Sequence, residues 1–247
     1  MKVNKYMKVF FFILLVAIIV ASSYYILSNL LQEKKQEDDF EDIKEIVIDT
    51  SEENQEEAED KIDLYNLYLM NNDVVGWIKL KDSNIDYPIM QNGEYYLRRN
   101  IYKEYSSYGT PFLAEYCNIN TSDNLIIYGH HIKSGMMFAD LDKYKNYNYY
   151  LNHKIIKLYK LQGTETIEEE YKVVFCFKTT VNKGGFKYYN FYNATSEADY
   201  NSFVEQCQKL SFYNTEESAS YGDRLITLST CEYSLNNGRM VVVAKKI

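Results

Sequence analysis

Arginine, proline, cysteine and histidine are all scarce in this chain of 247 residues. Two Pro and 10 Gly are few for a loop-rich repeat protein, and four Cys are too few for a disulfide-stabilised scaffold. Only four of the 27 basic residues are Arg. A formal net charge of −8 without a basic patch argues against a nucleic-acid partner. With 46% apolar and 16% aromatic residues, the chain can form one well-packed domain.

The longest uncharged stretch lies near the N-terminus, from Val9 to Leu31. As a helix it would cross a hydrocarbon core of roughly 30 Å. Three Lys precede it and an acidic stretch follows, which predicts that residues 1–8 are cytoplasmic and the remainder extracellular. We expect an uncleaved single-pass signal anchor at 9–31 that holds the protein in the cell membrane. A signal peptide cleaved near Ala21-Ser22-Ser23 is the alternative, but the apolar stretch continues past that point.

Residues 32–61 carry most of the negative charge. They hold 14 Asp or Glu against four Lys, whereas residues 62–247 have a net charge of only −1. Like charges repel and few apolar residues are available for burial, so this segment cannot form a core. It is predicted to be a solvated spacer, extended or partly helical, that holds the following domain off the membrane. An acidic docking segment is the alternative.

From Ile62 the composition is that of an ordered domain, and we expect one domain over 62–247. Short β-type runs separated by turn residues outnumber helical patterns, which favours a mainly β fold, a closed antiparallel or mixed β-barrel, over a parallel α/β sheet. The expected strands are Val74 to Lys79, Ile85 to Met90, Thr110 to Glu115, Leu125 to Tyr128, Ile155 to Leu161, Tyr171 to Lys178, Arg224 to Ser229 and Arg239 to Lys245. The expected helices are a short one ending before Asp73, Met137 to Tyr144, and Ser196 to Leu210 with Thr195 as N-cap.

Three of the four cysteines fit an ordinary apolar role. Cys117 follows a strand, Cys176 lies inside an apolar run, and Cys207 falls on the inner stripe of the last predicted helix. Cys231 differs, because it ends a strand and is followed by the Asn-Gly turn signal at 237–238.

That turn places Cys231 opposite Arg239. In a hairpin centred near Leu235, each lies four residues from the centre, so the two lie side by side on adjacent antiparallel strands, about 5 Å apart. A neighbouring guanidinium favours the thiolate form and can also face a developing oxyanion. The pairing of Cys231 with Arg239 therefore has a chemical use, although the four Cys could also form disulfides.

Two of the three His stand at the end of a predicted strand. His130 and His131 follow Leu125 to Tyr128, and a thiolate nucleophile needs such an acid-base partner. His153 lies near a turn and is expected at the surface. A metal site at the His pair is the alternative, but adjacent side chains point to opposite faces and no third ligand has suitable spacing, so no metal is expected. Spacing alone leaves the choice between His130 and His131 open.

These segments resemble the sortases, membrane-anchored cysteine transpeptidases of Gram-positive bacteria. The shared features are Thr-Leu-Ser-Thr-Cys at 227–231, the downstream Arg239, and Tyr-Gly-His-His at 128–131. Val-Val-Gly-Trp-Ile at 74–78 is similar to class B members in particular. The resemblance covers about residues 62–247 together with the N-terminal anchor. It implies a closed eight-stranded sortase-type β-barrel with an N-terminal helix and a helix inserted before the nucleophile strand.

By motif position, the resemblance implies Cys231 as the nucleophile, His130 as the acid-base and Arg239 as the positioning and oxyanion-stabilising residue. The implied reaction cleaves a sorting-signal peptide after Thr through a thioester. The acyl group then passes to an amine of a peptidoglycan precursor, which anchors surface proteins to the cell wall. No cofactor is implied.

The resemblance also implies that Ser229, Glu232 and Leu97 line the substrate groove. The expected sorting motif is Asn-Pro-x-Thr-Asn-like or Pro-x-Thr-Gly-like. An exported cell-wall cysteine hydrolase, a pilin-polymerising sortase and a non-enzymatic exported domain remain as alternatives.

Overall fold

The computed structural model describes residues 5–49 and 61–247. The chain divides into two compact units, one ending at Ile43 and the other running from Lys44 to Ile247. In the second unit, strands β1 (Ile48–Asp49) and β2 (Lys61–Ile62) form a short antiparallel pair.

Helix α1 spans Lys5–Val47 and contains the apolar stretch near the N-terminus. It has the length and composition of a membrane span, a test that a signal sequence in this position also meets. The helix continues beyond Leu31 without a break, so residues 32–47 of the predicted spacer are helical. The rest of that spacer at 50–60, and residues 1–4, lie outside the described residues.

In residues 61–247, eight further strands close into the β-barrel that the sequence predicts. The strands are β3 (Val74–Leu80), β4 (Asp86–Met90), β5 (Phe112–Leu113), β6 (Asn124–Tyr128), β7 (Ile155–Gln162), β8 (Glu165–Thr180), β9 (Leu225–Glu232) and β10 (Gly238–Lys246). Their order around the barrel is β10-β8-β7-β3-β4-β5-β6-β9. Neighbours run antiparallel except for β4 with β5 and β6 with β9, so the barrel is mixed.

Two strands differ in length from the prediction by four residues or more. The β5 strand has two residues rather than six, because Pro111 has no N–H to donate and Gly109 turns the chain with φ of 62°. The β8 strand begins at Glu165 rather than Tyr171, since the polar residues 165–170 pair with β7 in a long hairpin.

Helix α2 (Tyr65–Met70) is the short helix expected before Asp73, and α4 (Glu197–Leu210) is the helix expected before the nucleophile strand. The N-cap of α4 is Ser196, whose Oγ accepts from the Asp199 N–H at 3.2 Å, so the prediction of Thr195 is wrong by one residue. Thr195 instead donates to the Asp199 carboxylate from both its N–H and its hydroxyl. Together these bonds close the first turn.

The segment predicted as a helix from Met137 to Tyr144 is a 3₁₀ helix at Ala139–Lys145. Met137 has φ of 57°, which no helix accommodates. The unpredicted α3 (Tyr147–Asn152) follows, capped by the Asn146 side chain, which accepts from the Asn148 N–H.

The barrel interior holds a continuous apolar core, against which α4 buries Tyr200, Phe203 and Cys207. Cys117 and Cys176 are buried too, as predicted for all three cysteines. Burial raises the pKa of the Cys117 thiol to about 11 and that of Cys176 to about 12. These thiols therefore remain protonated and unreactive at neutral pH.

Candidate active site

The β9–β10 hairpin places Cys231 directly opposite Arg239, the pairing that the turn spacing predicts. Asn237 supplies the left-handed conformation of the turn, with φ of 52°, and Gly238 follows it. A Cβ on Gly238 would lie 2.4 Å from the Glu232 carbonyl oxygen, so the close approach requires glycine. Cys231 is an unbridged, half-buried thiol, whereas the other three cysteines are buried.

Glu232 is the last residue of β9 and is not among the residues that line the cleft around Cys231. One carboxylate oxygen accepts from the Ser234 N–H and hydroxyl and from the Leu235 N–H, and the other pairs with Lys145 at 2.8 Å. Adjacent residues on a strand point to opposite faces, which explains why Glu232 is directed away from its neighbour Cys231. Its position therefore differs from the expected place in the substrate groove.

His130 stands just beyond the end of β6, beside β9. Gly129 donates its N–H to the Ser229 carbonyl at 3.1 Å, and the His130 carbonyl accepts from the Phe138 N–H at 2.9 Å. The Phe138 ring covers Gly129 so closely that a Cβ there would lie 2.6 Å from it. These contacts fix the backbone on both sides of His130.

The His130 imidazole is oriented by a main-chain carbonyl. Its Nε2 donates to the Leu97 oxygen at 2.8 Å, which leaves Nδ1 to exchange a proton. Burial lowers the pKa of His130, and the Arg98 guanidinium lowers it further, while the Leu97 bond acts in the opposite direction. The neutral imidazole is therefore favoured.

The Leu97 carbonyl is held by a tight loop between the 3₁₀ helix Tyr95–Arg98 and β5. Gly109 crosses this loop with φ of 62°, and a Cβ on it would lie 2.7 Å from the carbonyl oxygens of both Tyr96 and Leu97. Thr110 then donates its N–H to Tyr96 at 3.0 Å. The position of the His130 ring thus depends on a glycine 21 residues away in sequence.

Leu97, His130, Ser229, Cys231 and Arg239 line one cleft of about 420 Å³. The structure therefore brings the three predicted catalytic side chains to one site, together with two of the three predicted groove residues. Its walls also include five aromatic side chains for which the sequence predicts no role in the site, namely Phe112, Tyr116, Tyr128, Tyr188 and Tyr189.

Ser229 is buried at the floor of the cleft and bonded to one of these aromatic residues. Its Oγ lies 2.5 Å from the Tyr188 hydroxyl. Burial raises the pKa of Tyr188 to about 12, although the Ser229 bond and the nearby Arg239 act to lower it. Tyr188 comes from the 3₁₀ turn Tyr188–Asn190 between β8 and α4, which has no periodic sequence signal.

The other two histidines have different surroundings. His131 Nδ1 donates to the Cys231 carbonyl at 3.2 Å. His153 lies elsewhere, half-buried and stacked on Tyr149 with ring centroids 3.8 Å apart. In the described residues, no group of three or more His, Cys, Asp or Glu is placed to hold a metal ion.

Comparisons with known proteins point to one family. A family model for the sortase domain matches residues 78–247. Sortase B of Staphylococcus aureus is 34% identical over 185 residues, covering 72% of each chain, and sortase B of Listeria monocytogenes is 35% identical over 191 residues, covering 75% of this chain and 74% of that one. The solved structure of a Staphylococcus aureus sortase B–substrate complex superposes with a TM-score of 0.66 at 33% identity, covering 73% of this chain and 82% of that chain.

The match extends over most of the barrel, includes the strand and hairpin that carry Cys231 and Arg239, and involves curated relatives above 30% identity. The chain therefore belongs to the sortase family of cysteine transpeptidases and is similar to its class B members.

Proposed function

We propose that this protein is an extracellular, membrane-anchored transpeptidase in which Cys231 is the nucleophile, His130 the general acid-base and Arg239 the oxyanion-stabilising residue. The observation that carries the proposal is the Cys231–Arg239 register across the hairpin, in a cleft that His130 also lines. The apolar part of α1 would be the single-pass anchor, with the N-terminus cytoplasmic.

In the first step the Cys231 thiolate attacks the carbonyl carbon of the Thr in a sorting motif. A carbon–sulfur bond forms, and the carbon–nitrogen bond breaks as His130 Nδ1–H protonates the leaving amine. Arg239 faces the transient oxyanion. In the second step an amine of a peptidoglycan precursor attacks the thioester, gives its proton to His130 and releases the Cys231 thiolate.

The charge state of His130 limits the rate of the proposed reaction. An unperturbed imidazole titrates at about 6.5, so the imidazolium that must protonate the leaving amine is a minority form at neutral pH. Burial and Arg98 lower the pKa of His130, which makes the imidazolium scarcer still. We therefore expect slow turnover.

The proposed substrate is the sorting signal of a surface protein, either Asn-Pro-x-Thr-Asn-like or Pro-x-Thr-Gly-like, as the resemblance to class B sortases implies. A sortase B of Staphylococcus aureus has been solved in complex with its substrate, which is consistent with peptide binding in this cleft. The apolar and aromatic walls of the cleft suit an extended peptide with few charges. Mass spectrometry of a substrate protein released from the cell wall would identify the residue joined to its Thr, which separates wall anchoring from pilin polymerisation.

The decisive experiment measures cleavage and transfer with peptides of both motifs, with and without a Gly peptide or hydroxylamine. A transpeptidase forms more product when an amine is added, whereas a hydrolase does not. Changing Cys231 to Ala should abolish both cleavage and transfer, while changing the buried Cys207 to Ser should leave any folded enzyme active. Cleavage or transfer by the Cys231→Ala protein would refute the nucleophile assignment.

A further inference from the structure

His131 and Tyr233 connect the two segments that carry the proposed acid-base and nucleophile. The His131 Nδ1–H donates to the Cys231 carbonyl at 3.2 Å, and the Tyr233 hydroxyl donates to the His131 carbonyl at 3.1 Å. The two rings meet edge to face, with centroids 5.1 Å apart at 69°. The segment that follows β6 and the end of β9 thus each provide one hydrogen-bond donor and one acceptor to the other.

The His131 imidazole continues the row of hydrogen bonds between the parallel strands β6 and β9 beyond the last backbone–backbone bond. Strands β6 and β9 pair as far as Tyr128 and Ser229, and the Ser229 carbonyl accepts from the Gly129 N–H. Carbonyls two residues apart point to the same edge of a strand, so the next acceptor on that edge is the Cys231 carbonyl. At that step the donor is the side chain of His131 rather than its N–H.

The bond from His131 matters for the proposed chemistry because it ends on the carbonyl of Cys231, the proposed nucleophile. Cys231 is the second-last residue of β9, next to the turn at residues 233–237. A nucleophile at a strand end is held less firmly than one in the middle of a sheet, and a displacement of about 1 Å can cost a hundredfold in rate. A donor on the nucleophile's own carbonyl restricts that displacement.

We propose that His131 and Tyr233 are positioning residues that hold the Cys231 main chain at a fixed distance from His130. The inference rests on the proposed function and adds to it a role for the second histidine of the pair. Neither residue donates or accepts a proton in the reaction. His131 acts through its Nδ1–H bond to the carbonyl, and Tyr233 acts by holding the His131 main chain and the edge of its ring.

The test compares three replacements of His131 that differ in where they place a donor. In Asn the amide nitrogen is separated from Cα by the same number of bonds as Nδ1 of His, whereas in Gln it is one bond further out. We expect His131→Ala and His131→Gln to lower kcat at least about tenfold with KM changed less than about twofold. His131→Asn should remain within about threefold of the wild type.

Tyr233→Phe should lower kcat about threefold, and adding it to His131→Ala should cause no further loss, because both act through one contact. His153→Ala is the matched control, since that ring contacts Tyr149 and lies outside the cleft. Thermal unfolding of each variant verifies that it is folded. Should His131→Ala not fold, the comparison of Asn with Gln decides alone.

A second readout needs no substrate. The rate at which iodoacetamide alkylates Cys231 at pH 7 should fall in the Ala and Gln variants and be retained in the Asn variant. If the wild type cleaves no sorting peptide, the proposed transpeptidase function fails, while these alkylation rates still test the positioning role. Wild-type kcat and alkylation rate in His131→Ala, or equal rates for the Asn and Gln variants, would overturn the inference.

Discussion

Two groups of charged residues in the same barrel differ in whether their charges are paired within the protein. On β7, β8 and β10, Glu169 accepts from Lys160 at 2.8 Å, from Lys246 at 2.9 Å and from the Tyr171 hydroxyl at 2.9 Å. Burial alone would raise its pKa, but these partners hold the pKa of Glu169 at about 2. Every charge in this cluster is satisfied within the protein.

The cleft is the contrasting case. In the described residues Arg239 makes no ion pair, and its guanidinium donates to the carbonyl of its neighbour Gly238 at 2.8 Å. His130 is oriented by a carbonyl rather than by a carboxylate. Removing one partner of a buried charge pair destabilises the fold, whereas an unpaired guanidinium beside the proposed nucleophile is available to a substrate oxyanion.

The largest effect is expected from breaking the paired cluster with Glu169→Gln. Lys160, with only 6% of its side chain exposed, would lose its carboxylate partner, and we expect a loss of about 3 kcal/mol in the free energy of unfolding. The folded pKa of Glu169 lies below its unfolded value of about 4.5. Its contribution is therefore fully present above pH 4.5 and is lost as the pH falls towards 2.

Denaturant unfolding of wild type and variant at pH 7 and at pH 3 tests this expectation, because the difference between them should shrink at the lower pH. Glu168→Gln is the control, since that carboxylate pairs with Lys157 at an exposed position and should matter by less than about 1 kcal/mol. If both variants lost the same free energy of unfolding, the buried Glu169 cluster would contribute no more to stability than the exposed pair of Glu168 with Lys157.

The next effect concerns the unpaired charge. Arg239→Lys keeps the positive charge but loses the planar fork, so we expect kcat/KM for peptide cleavage to fall at least about tenfold. Arg224→Lys is the matched control, because Arg224 donates to the Ser122 and Ile119 carbonyls and does not line the cleft. Near-normal cleavage by Arg239→Lys would show that a point charge is sufficient.

The parts of the site that local rules determine could be predicted from sequence. An Asn-Gly turn fixes the hairpin register, and the register alone places Cys231 opposite Arg239. Strand alternation also indicates that the neighbouring residues Glu232 and Cys231 face opposite sides of β9.

The contacts that depend on distant segments could not be predicted in the same way. The bond from His130 to Leu97 joins residues 33 apart through a loop without periodicity. The pairing of Glu169 with Lys246 spans 77 residues and depends on barrel closure, which charge counting does not reveal. Tyr188 contacts Ser229 from an irregular turn. Because the chain has 26 Tyr, its sequence does not distinguish this tyrosine from the others.

The third and smallest effect in this comparison concerns how His130 is oriented in a cleft that has little internal pairing. In Gly109→Ala the new Cβ would lie 2.7 Å from the Leu97 and Tyr96 oxygens, so the loop must shift and weaken the Leu97 bond to His130. We expect kcat to fall about fivefold. Gly163→Ala is the matched control, because Gly163 also has a positive φ, 68°, but nothing lies within 4 Å of its Cβ. Both variants place Ala at a positive φ, which costs about 1 kcal/mol of backbone strain, but only Gly109→Ala displaces the Leu97 carbonyl. Equal kcat values for the two variants would therefore show that the Leu97 carbonyl does not orient His130.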